Sequence, residues 1–378
     1  MSKKLSPTVF YQALIKNKVE YFCGVPDSSL SSFGAYLEDH GAESHDIAVN
    51  EGSAIALAIG YHIASANVPL VYMQNSGLGN AINPLTSLVD PLVLGIPMIL
   101  LIGWRGKPGV KDEPQHSKQG SITIDLLKSL GIPHKLLNSD NVKATKQVNQ
   151  AVEDTIKTKR PFALLVHDGT FETFKMSSSV VTKYRLTREE AIQSIVDNLT
   201  NQDVVVVTTG KAIRELFEHR DKKQQGHRQD LLIVGGMGHA SAIAYGIAKQ
   251  KPKHNIFVID GDGSVLMHMG SLPFIGSNGL KNFYHIVINN GSHESVGGQP
   301  TIAGVIDLPA IAKSSGYTQT FSLSKRGDIA KTIRFIKKLA GPVFVEINVG
   351  GRARLDLMRP TIHPSKNKET FMKFLAMD

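Results

Sequence analysis

The residues with the clearest chemical potential are an acidic glycine-rich turn and a pair of asparagines. Gly261-Asp262-Gly263-Ser264 follows one apolar run, and Asn289-Asn290 follows the next. Both runs are typical of buried parallel strands, so we expect the two motifs at neighbouring carboxyl ends of one sheet. There Asp262 and Asn290 offer oxygen ligands to a small divalent cation such as Mg²⁺, and the backbone carbonyl of Ser292 fits a third position.

The same turn can also bind a phosphate. The backbone N–H groups around Gly263 and Ser264 open a predicted helix, and helix N-termini attract anions. Together with the cation ligands they predict a site for a magnesium-bound diphosphate. The plain alternative is two unrelated turns at strand ends. The order of the motifs, their spacing and their matching strand contexts favour the diphosphate site.

The elements that must position these motifs form two similar halves. Helical and apolar strand-like segments alternate in each half, which predicts an α/β fold with two tandem doubly wound parallel-sheet domains. We place the domains at 1–170 and 188–350, with a linker at 171–187 and a basic C-terminal tail at 351–378. The predicted strands are 21–25, 46–49, 70–74, 98–103, 162–166, 204–208, 231–234, 256–259, 284–288 and 343–347.

Two helix starts carry capping signals. Ser6-Pro7 places a serine before a proline, which is typical of an N-cap followed by the first helical residue. Thr187-Arg188-Glu189-Glu190 has the spacing of a capping box and precedes an apolar-periodic helix. These signals predict where the first helix of each half begins.

A glycine-rich loop precedes the acidic turn. Gly235-Gly236-Met237-Gly238 lies between a predicted strand and a predicted helix, and Asp260 follows about 20 residues on, as in a dinucleotide-binding fingerprint. However, Ser241 stands where the third glycine or alanine belongs, and this interpretation leaves the Asp262 and Asn290 motifs unexplained. An NAD-dependent dehydrogenase is therefore a remote alternative.

A glutamate occupies a helix start in the first half. Val49-Asn50-Glu51-Gly52 leads from a predicted strand into an apolar helix, so Glu51 belongs to the functional edge of its sheet. The plain explanation is a first-turn glutamate favoured by the helix dipole.

Taken together, these motifs resemble those of thiamine diphosphate-dependent 2-oxoacid decarboxylases over nearly the full chain. The resemblance implies a pyrimidine-binding first domain and a diphosphate-binding second domain, with thiamine diphosphate and Mg²⁺ as cofactors. It implies that Glu51 donates to N1′ of the aminopyrimidine ring. It further implies that Met237 holds the cofactor in a folded shape, that the Gly235 carbonyl orients the 4′-amino group, and that Asp262 and Asn290 bind the metal.

The layout, with only a short linker between the halves, is similar to the phosphonopyruvate and sulfopyruvate decarboxylase branch of that family. The resemblance implies decarboxylation of 3-phosphonopyruvate to phosphonoacetaldehyde and CO₂ in phosphonate biosynthesis. Sulfopyruvate or another small 2-oxoacid as substrate, or a non-catalytic subunit, are the alternatives. Four segments carry this closer likeness: Gly24-Val25-Pro26-Asp27-Ser28, Arg105-Gly106-Lys107-Pro108-Gly109 with Asp112-Glu113-Pro114-Gln115-His116, Ser292-His293-Glu294-Ser295-Val296-Gly297-Gly298-Gln299-Pro300-Thr301, and Arg359-Pro360-Thr361 with Asn367-Lys368-Glu369.

The resemblance also implies roles for loop residues at the same sheet edge. Asp27, Asp112 and His116 are candidates for the proton transfers that complete the reaction. Arg105 best fits a planar two-point contact with the anionic group of the substrate. His116 and His293 are further candidates to line the substrate.

Composition limits the remaining possibilities. The formal net charge is +9, which either solubility or an active site that attracts anions would explain. No run of basic residues with interleaved aromatics indicates nucleic-acid binding. The single cysteine, Cys23, excludes an intrachain disulfide. No membrane-length apolar stretch and no signal peptide is visible, so the cytoplasm is the expected location. The family resemblance implies a homodimer or larger homo-oligomer with active sites between subunits.

Overall fold

A computed structural model describes residues 4–177 and 182–377, apart from the side chain of Ala42. The chain divides into two compact units. The first comprises Met1–Ser179 with His293–Gln299, and the second comprises Val180–Ser292 with Pro300–Asp378. Residues 178–181 of the predicted linker lie outside the described residues. No helix in the described ranges is long and apolar enough to cross a membrane.

The first unit contains a six-stranded parallel sheet with the strand order β2-β1-β3-β4-β6-β5. Its strands are β1 (Phe22–Gly24), β2 (His45–Ile47), β3 (Leu70–Gln74), β4 (Ile99–Gly103), β5 (His134–Leu136) and β6 (Phe162–Val166). Its helices are α1 (Pro7–Lys16), α2 (Ser31–His40), α3 (Glu51–Ser65), α4 (Leu78–Pro84), α5 (Pro114–Ser129) and α6 (Asn141–Thr158).

The second unit contains another six-stranded parallel sheet, with the order β11-β12-β10-β9-β7-β8. Its strands are β7 (Val204–Val207), β8 (Asp230–Leu232), β9 (Ile256–Gly261), β10 (Phe283–Asn289), β11 (Gln319–Leu323) and β12 (Val343–Asn348). Its helices are α7 (Arg188–Val196), α8 (Lys211–Lys222), α9 (Ala240–Gln250), α10 (Asp262–Met267), α11 (Ser271–Asn278), α12 (Leu308–Ser314), α13 (Arg326–Ile336) and α14 (Pro364–Leu375).

The two sheets have one topology. Counted from the first strand of each unit, both follow the order 2-1-3-4-6-5. The predicted fold class, two tandem doubly wound parallel sheets, is therefore confirmed. In this order the chain passes from the first strand to one side and then returns to the other, which creates a switch point between the first and third strands.

The central strands are apolar because helices cover both faces of each sheet. On β4, Ile99 and Leu101 belong to one hydrophobic cluster, whereas Leu100 and Ile102 belong to the cluster on the opposite face. All four side chains are fully buried. Burial of each such side chain stabilises the fold by about 1.5–3 kcal/mol, and this burial holds the strand ends in fixed positions.

The sequence did not predict the strands β5 and β11. Both lie at sheet edges and pair on one side only, and both expose part of their side chains, so they lack the continuous apolar pattern. Three predicted strands also begin one residue earlier than expected: β2 begins at His45, β8 at Asp230 and β10 at Phe283.

The predicted capping box and the predicted helix start at Ser6-Pro7 are both confirmed. The Thr187 side chain accepts from the Glu190 N–H, and the Glu190 carboxylate accepts from the Thr187 N–H at 2.9 Å. Ser6 occupies the N-cap position of α1, but its side chain makes no cap bond. Its backbone N–H instead donates to Asn141 Oδ1 at 2.9 Å.

The basic tail contains α14, which contacts the edge strand β8. The Leu232 N–H donates to Asn367 Oδ1 at 3.0 Å, and Asn367 Nδ2 donates to the Asp230 carbonyl at 2.9 Å. One side chain thus provides both hydrogen bonds that a neighbouring strand would otherwise supply.

Candidate active site

The predicted site residues of both units follow strand carboxyl ends. In the first unit Asp27 follows β1, Glu51 follows β2 and Arg105 follows β4. In the second unit Asp262 follows β9 and Asn290 follows β10. This is the edge of a doubly wound sheet where ligands bind.

Glu51 is buried at the first position of α3, with 5% of its surface exposed. The helix begins here because the side chain of Asn50 accepts from the Ser53 N–H at 2.9 Å. Asn80 Nδ2 donates to Glu51 Oε2 at 2.7 Å. A methyl group at Gly77 would overlap the same carboxylate, so only glycine leaves it room there.

Asp27 is also buried, with 1% exposed. Its carboxylate accepts from the Ser29 N–H at 2.9 Å and from Gln74 Nε2 at 2.7 Å. Burial raises the pKa of Asp27, and the hydrogen bonds from Gln74 and Ser29 only partly oppose that effect. Gly103, at the end of β4, lies so close that any larger residue would overlap the carboxylate.

Arg105, Asp112 and His116 form one hydrogen-bonded group. Arg105 Nε donates to Asp112 Oδ2 at 2.9 Å, and Arg105 Nη2 donates to Oδ1 at 2.6 Å. His116 Nδ1 lies 3.0 Å from Asp112 Oδ1. Burial opposes the charge on Asp112, but the hydrogen bonds from Arg105 and His116 outweigh it and hold its pKa well below the usual range. The planar two-point contact predicted for Arg105 is thus made with Asp112.

A buried asparagine fixes the loop that carries Arg105. Asn75 is fully buried, accepts from the Arg105 N–H at 3.1 Å and donates to the Arg105 carbonyl at 2.9 Å. It also donates to Thr123 Oγ1 at 2.9 Å, while Gln119 donates to its carbonyl at 2.8 Å. Sequence reasoning missed Asn75, although its place directly after β3 was a usable signal.

In the second unit, Asp262 is 3% exposed at the start of α10. Thr301 Oγ1 donates to its Oδ2 at 2.5 Å. Burial raises the pKa of Asp262 to about 6, and hydrogen bonds from Thr301 and from the backbone N–H groups of Gly263 and Asn290 oppose the shift. The last of these bonds brings the two predicted metal-binding motifs together. Thr301 ends one of the segments that resemble the phosphonopyruvate and sulfopyruvate branch, but the sequence did not predict its contact with Asp262.

The turn after β10 is fixed from both sides. Asn290 Oδ1 accepts from the Ser292 N–H at 3.1 Å. The preceding residue, Asn289, donates to Glu346 Oε1 at 2.9 Å and accepts from the Gly291 N–H at 3.0 Å. Ser292 also forms an isolated bridge with Pro300. Asn290 and the carbonyl of Ser292 are therefore held in one short turn.

The glycine-rich loop contacts the acidic turn directly. Gly236 and Gly238 have φ values of 61° and 89°, a conformation that glycine adopts without strain. The Gly238 N–H donates to Ser264 Oγ at 3.1 Å, and Ser264 Oγ lies 3.1 Å from Thr208 Oγ1. Gly235 and Met237 are partly buried in the same loop.

His293 belongs to the first unit with the rest of the segment His293–Gln299. Its N–H donates to the Gln299 carbonyl at 2.8 Å, which closes this short loop. Burial lowers the pKa of the His293 imidazole to about 4, so the ring is neutral at physiological pH.

The donor set around Asp262 fits a magnesium-bound diphosphate. Among the residues that the structure describes, the partners of this buried carboxylate are the Thr301 hydroxyl group and backbone N–H groups, with no Lys, Arg or His side chain among them. A buried carboxylate with only neutral partners is stabilised by a bound cation. Asp262 and Asn290 supply the oxygen ligands that Mg²⁺ prefers.

Comparisons with known proteins agree with this geometry. Residues 7–128 match the N-terminal TPP binding domain of thiamine pyrophosphate enzymes, and residues 208–347 match the C-terminal TPP binding domain. Thiamine pyrophosphate is another name for thiamine diphosphate. The chain belongs to the thiamine pyrophosphate enzyme family.

Similar proteins of known activity indicate which type of thiamine diphosphate enzyme the chain is. A phosphonopyruvate decarboxylase from Streptomyces viridochromogenes is 32% identical over 93% of this chain and 90% of that protein. One from Streptomyces hygroscopicus is 30% identical over 93% and 89%. A sulfopyruvate decarboxylase from Methanosarcina acetivorans is 25% identical over 79% of each. The chain is a thiamine diphosphate-dependent 2-oxoacid decarboxylase of the branch that includes these enzymes, and the dehydrogenase alternative is not supported.

Proposed function

We propose that this chain catalyses the non-oxidative decarboxylation of 3-phosphonopyruvate to phosphonoacetaldehyde and CO₂, a step of phosphonate biosynthesis. The observation that carries the choice of substrate is the likeness to two phosphonopyruvate decarboxylases over 93% of the chain. The likeness to the sulfopyruvate decarboxylase is weaker and covers less of the chain. Sulfopyruvate is the second candidate substrate.

The second unit would hold the cofactor. Asp262 and Asn290, with the Ser292 carbonyl, are the proposed Mg²⁺ ligands, and Gly263 and Ser264 at the start of α10 are the proposed contacts to the diphosphate. Gly235 and Met237 are the proposed contacts to the rest of the coenzyme. When bound, thiamine diphosphate supplies a thiazolium ring that accepts the electron pair released as CO₂ leaves.

The first unit would supply the proton chemistry. Asn80 occupies Oε2 of Glu51, which leaves Oε1 to hold or release a proton. Burial shields that carboxyl group from water, which suits direct proton exchange with a bound partner. Asp27, whose pKa is raised by burial, is better suited than an exposed aspartate to hold a proton.

The positive loop after β4 would attract the anionic end of the substrate. Lys107 and Lys111 lie in this loop beside the Arg105–Asp112 ion pair, and Lys107 Nζ lies 5.7 Å from the centre of the Trp104 ring. A local positive field raises the concentration of an anionic substrate. His116 and His293 are the further candidate substrate contacts.

The assembly and location complete the proposal. We infer a homodimer or larger homo-oligomer in which the pyrimidine-binding domain of one subunit and the diphosphate-binding domain of another complete each site. The proposed domain limits are 1–170 and 188–350, joined by 171–187 and followed by the tail at 351–378. The proposed location is the cytoplasm.

Product analysis tests the proposed reaction. The purified protein is incubated with phosphonopyruvate, sulfopyruvate or pyruvate, with and without Mg²⁺ and thiamine diphosphate, and CO₂ and aldehyde are measured. We expect phosphonoacetaldehyde to form fastest, only with both cofactors, and not in the Glu51→Gln variant. Faster turnover of sulfopyruvate would assign the second candidate, and no CO₂ release from any 2-oxoacid would overturn the proposal.

A further inference from the structure

We propose that Arg105 acts on catalysis through Asp112, which positions the imidazole of His116, and that its guanidinium does not bind the anionic group of the substrate. This inference rests on the proposed function. It assigns Arg105 and Asp112 as positioning residues and leaves His116 as the group that exchanges a proton with the reacting molecule.

The guanidinium of Arg105 is already engaged on three of its donors. Nε and Nη2 make the bidentate contact with Asp112, and Nη1 donates to Ser28 Oγ at 2.7 Å. The same fork geometry that would match a phosphonate is therefore occupied by a carboxylate. An anionic substrate would have to displace a partly buried ion pair in order to use it.

The backbone of Arg105 is fixed, so its side chain cannot easily turn away from Asp112 towards another partner. Asn75 holds both the N–H and the carbonyl of this residue. The next residue, Gly106, has a φ of 66°, and a side chain there would overlap the His116 carbonyl. The loop after β4 is thus fixed against the first turn of α5.

Both carboxylate oxygens of Asp112 accept hydrogen bonds. In addition to Arg105, the Gly106 N–H donates to Oδ2 at 2.8 Å and the Glu113 N–H donates to Oδ1 at 2.7 Å. These donors hold the group ionised, in agreement with its lowered pKa. An ionised carboxylate can only accept hydrogen bonds.

The charge state of Asp112 therefore determines the tautomer of His116. Nδ1 lies 3.0 Å from Asp112 Oδ1, so Nδ1 must carry the hydrogen. In the neutral ring the lone pair is then on Nε2, for which the described residues provide no hydrogen-bond partner. Nε2 is the atom that can take up or release a proton. The carboxylate fixes the tautomer and direction of the ring, as in other catalytic histidine pairs.

Kinetics with two substrates separate this role from substrate binding. Phosphonopyruvate carries the extra anionic group and pyruvate does not. In Arg105→Ala and Asp112→Asn we expect kcat to fall by about 10- to 100-fold for both substrates with little change in KM. The double variant should lose no more than the worse single variant, because both residues act through one pair. A KM increase confined to phosphonopyruvate in Arg105→Ala would overturn the inference.

A second readout does not depend on turnover. In ¹⁵N-labelled protein without cofactor, at a pH where the ring is neutral, the His116 signals should show hydrogen on Nδ1 in the wild type. They should show a mixture of tautomers in Asp112→Asn. Lys118→Ala, an exposed change on α5, is the matched control and should leave the tautomer unchanged.

The two readouts distinguish the possible failures. An unchanged tautomer in Asp112→Asn would overturn this inference whichever 2-oxoacid the enzyme uses. Wild-type protein that fails to decarboxylate phosphonopyruvate would instead overturn the proposed function. Circular dichroism and thermal melting should confirm that Asp112→Asn remains folded.

Discussion

Asn80 Nδ2 donates a 2.7 Å hydrogen bond to Glu51 Oε2, so a residue of α4 orients the buried carboxylate at the start of α3. The opposite side of that carboxylate faces Gly77, where no side chain fits. The position of the carboxylate therefore depends on the hydrogen bond from Asn80 and on the absence of a side chain at Gly77. Both can be changed without removing Glu51 itself.

Gly77→Ala should displace the Glu51 carboxylate while leaving the proposed metal site of the second unit unchanged. Because misplacement by about 1 Å can cost roughly 100-fold in rate, we expect kcat to fall on that order. Cofactor binding, measured by titration calorimetry, should change much less. Gly79→Ala is the matched control, since a side chain has open space there. Equal kinetics for the two variants would show that Gly77 does not constrain the catalytic glutamate.

Asp27→Asn should change how stability depends on pH. Burial raises the pKa of Asp27, so the folded protein favours its protonated form. The contribution of Asp27 to stability is fully present below its unfolded-state pKa of about 4 and is lost as pH rises through the folded-state value. Asparagine lacks this titration. The difference in unfolding free energy should therefore shift in favour of Asp27→Asn as the pH is raised.

Urea denaturation of the wild type and Asp27→Asn, at a series of pH values from about 4 to about 8, measures this shift. A difference that stays constant over the series would mean that Asp27 titrates as it does in the unfolded chain.

Thr301→Val should weaken cofactor binding. The hydroxyl group donates a 2.5 Å hydrogen bond to Asp262, the proposed metal ligand, and such a bond to a charged group contributes about 1.5–3 kcal/mol. We expect the dissociation constant of thiamine diphosphate, measured by calorimetry at fixed Mg²⁺, to rise by about tenfold or more. Asp262→Asn should have a larger effect. Thr318→Val, which removes a hydroxyl group bonded only to backbone carbonyls, should bind as the wild type does.

Asn367→Ala should destabilise the second unit. The change removes both partners from the edge of β8, and each unsatisfied buried polar group costs about 1–3 kcal/mol. We expect a lower midpoint of thermal unfolding, with the dissociation constant of the cofactor unchanged. Lys368→Ala, at the exposed neighbouring position, is the control. Similar midpoints for the two variants would argue against α14 as a support of the sheet edge.

Mixing two inactive variants should restore activity if the sites are shared between subunits. Glu51→Gln damages one domain and Asp262→Asn damages the other. In a hybrid dimer with shared sites, one site carries both changes and the other carries none, so equal mixing should recover roughly a quarter of wild-type activity. Sites built within one chain would each keep one damaged residue, and the mixture would stay inactive.

Much of the fold could be predicted because the central strands are continuous apolar runs. β4 and β10 are buried along their whole length, and their sequences show it directly. The edge strands β5 and β11 could not be found in the same way, since an edge strand pairs on one side and tolerates polar residues. The hydrophobic pattern of a sequence identifies residues that are buried, and the residues of these two strands are only partly buried.

The residues of the candidate site also fall into those that the sequence predicts and those that it does not. Glu51, Asp262 and Asn290 stand directly beside strands that can be recognised, so their placement followed from the sequence. Asn75 and Thr301 contribute through contacts between residues that are distant in the chain. Spacing along a single sequence carries no information on such contacts.

The repeated 2-1-3-4-6-5 winding has an evolutionary consequence. One strand order in both units is what duplication of one ancestral module within a gene would produce, with the copies then diverging at their loops. The first unit would have specialised in proton transfer and the second in binding the coenzyme. The shared strand order would then reflect common ancestry, and the different functions of the two units would depend on the few residues that follow their strands.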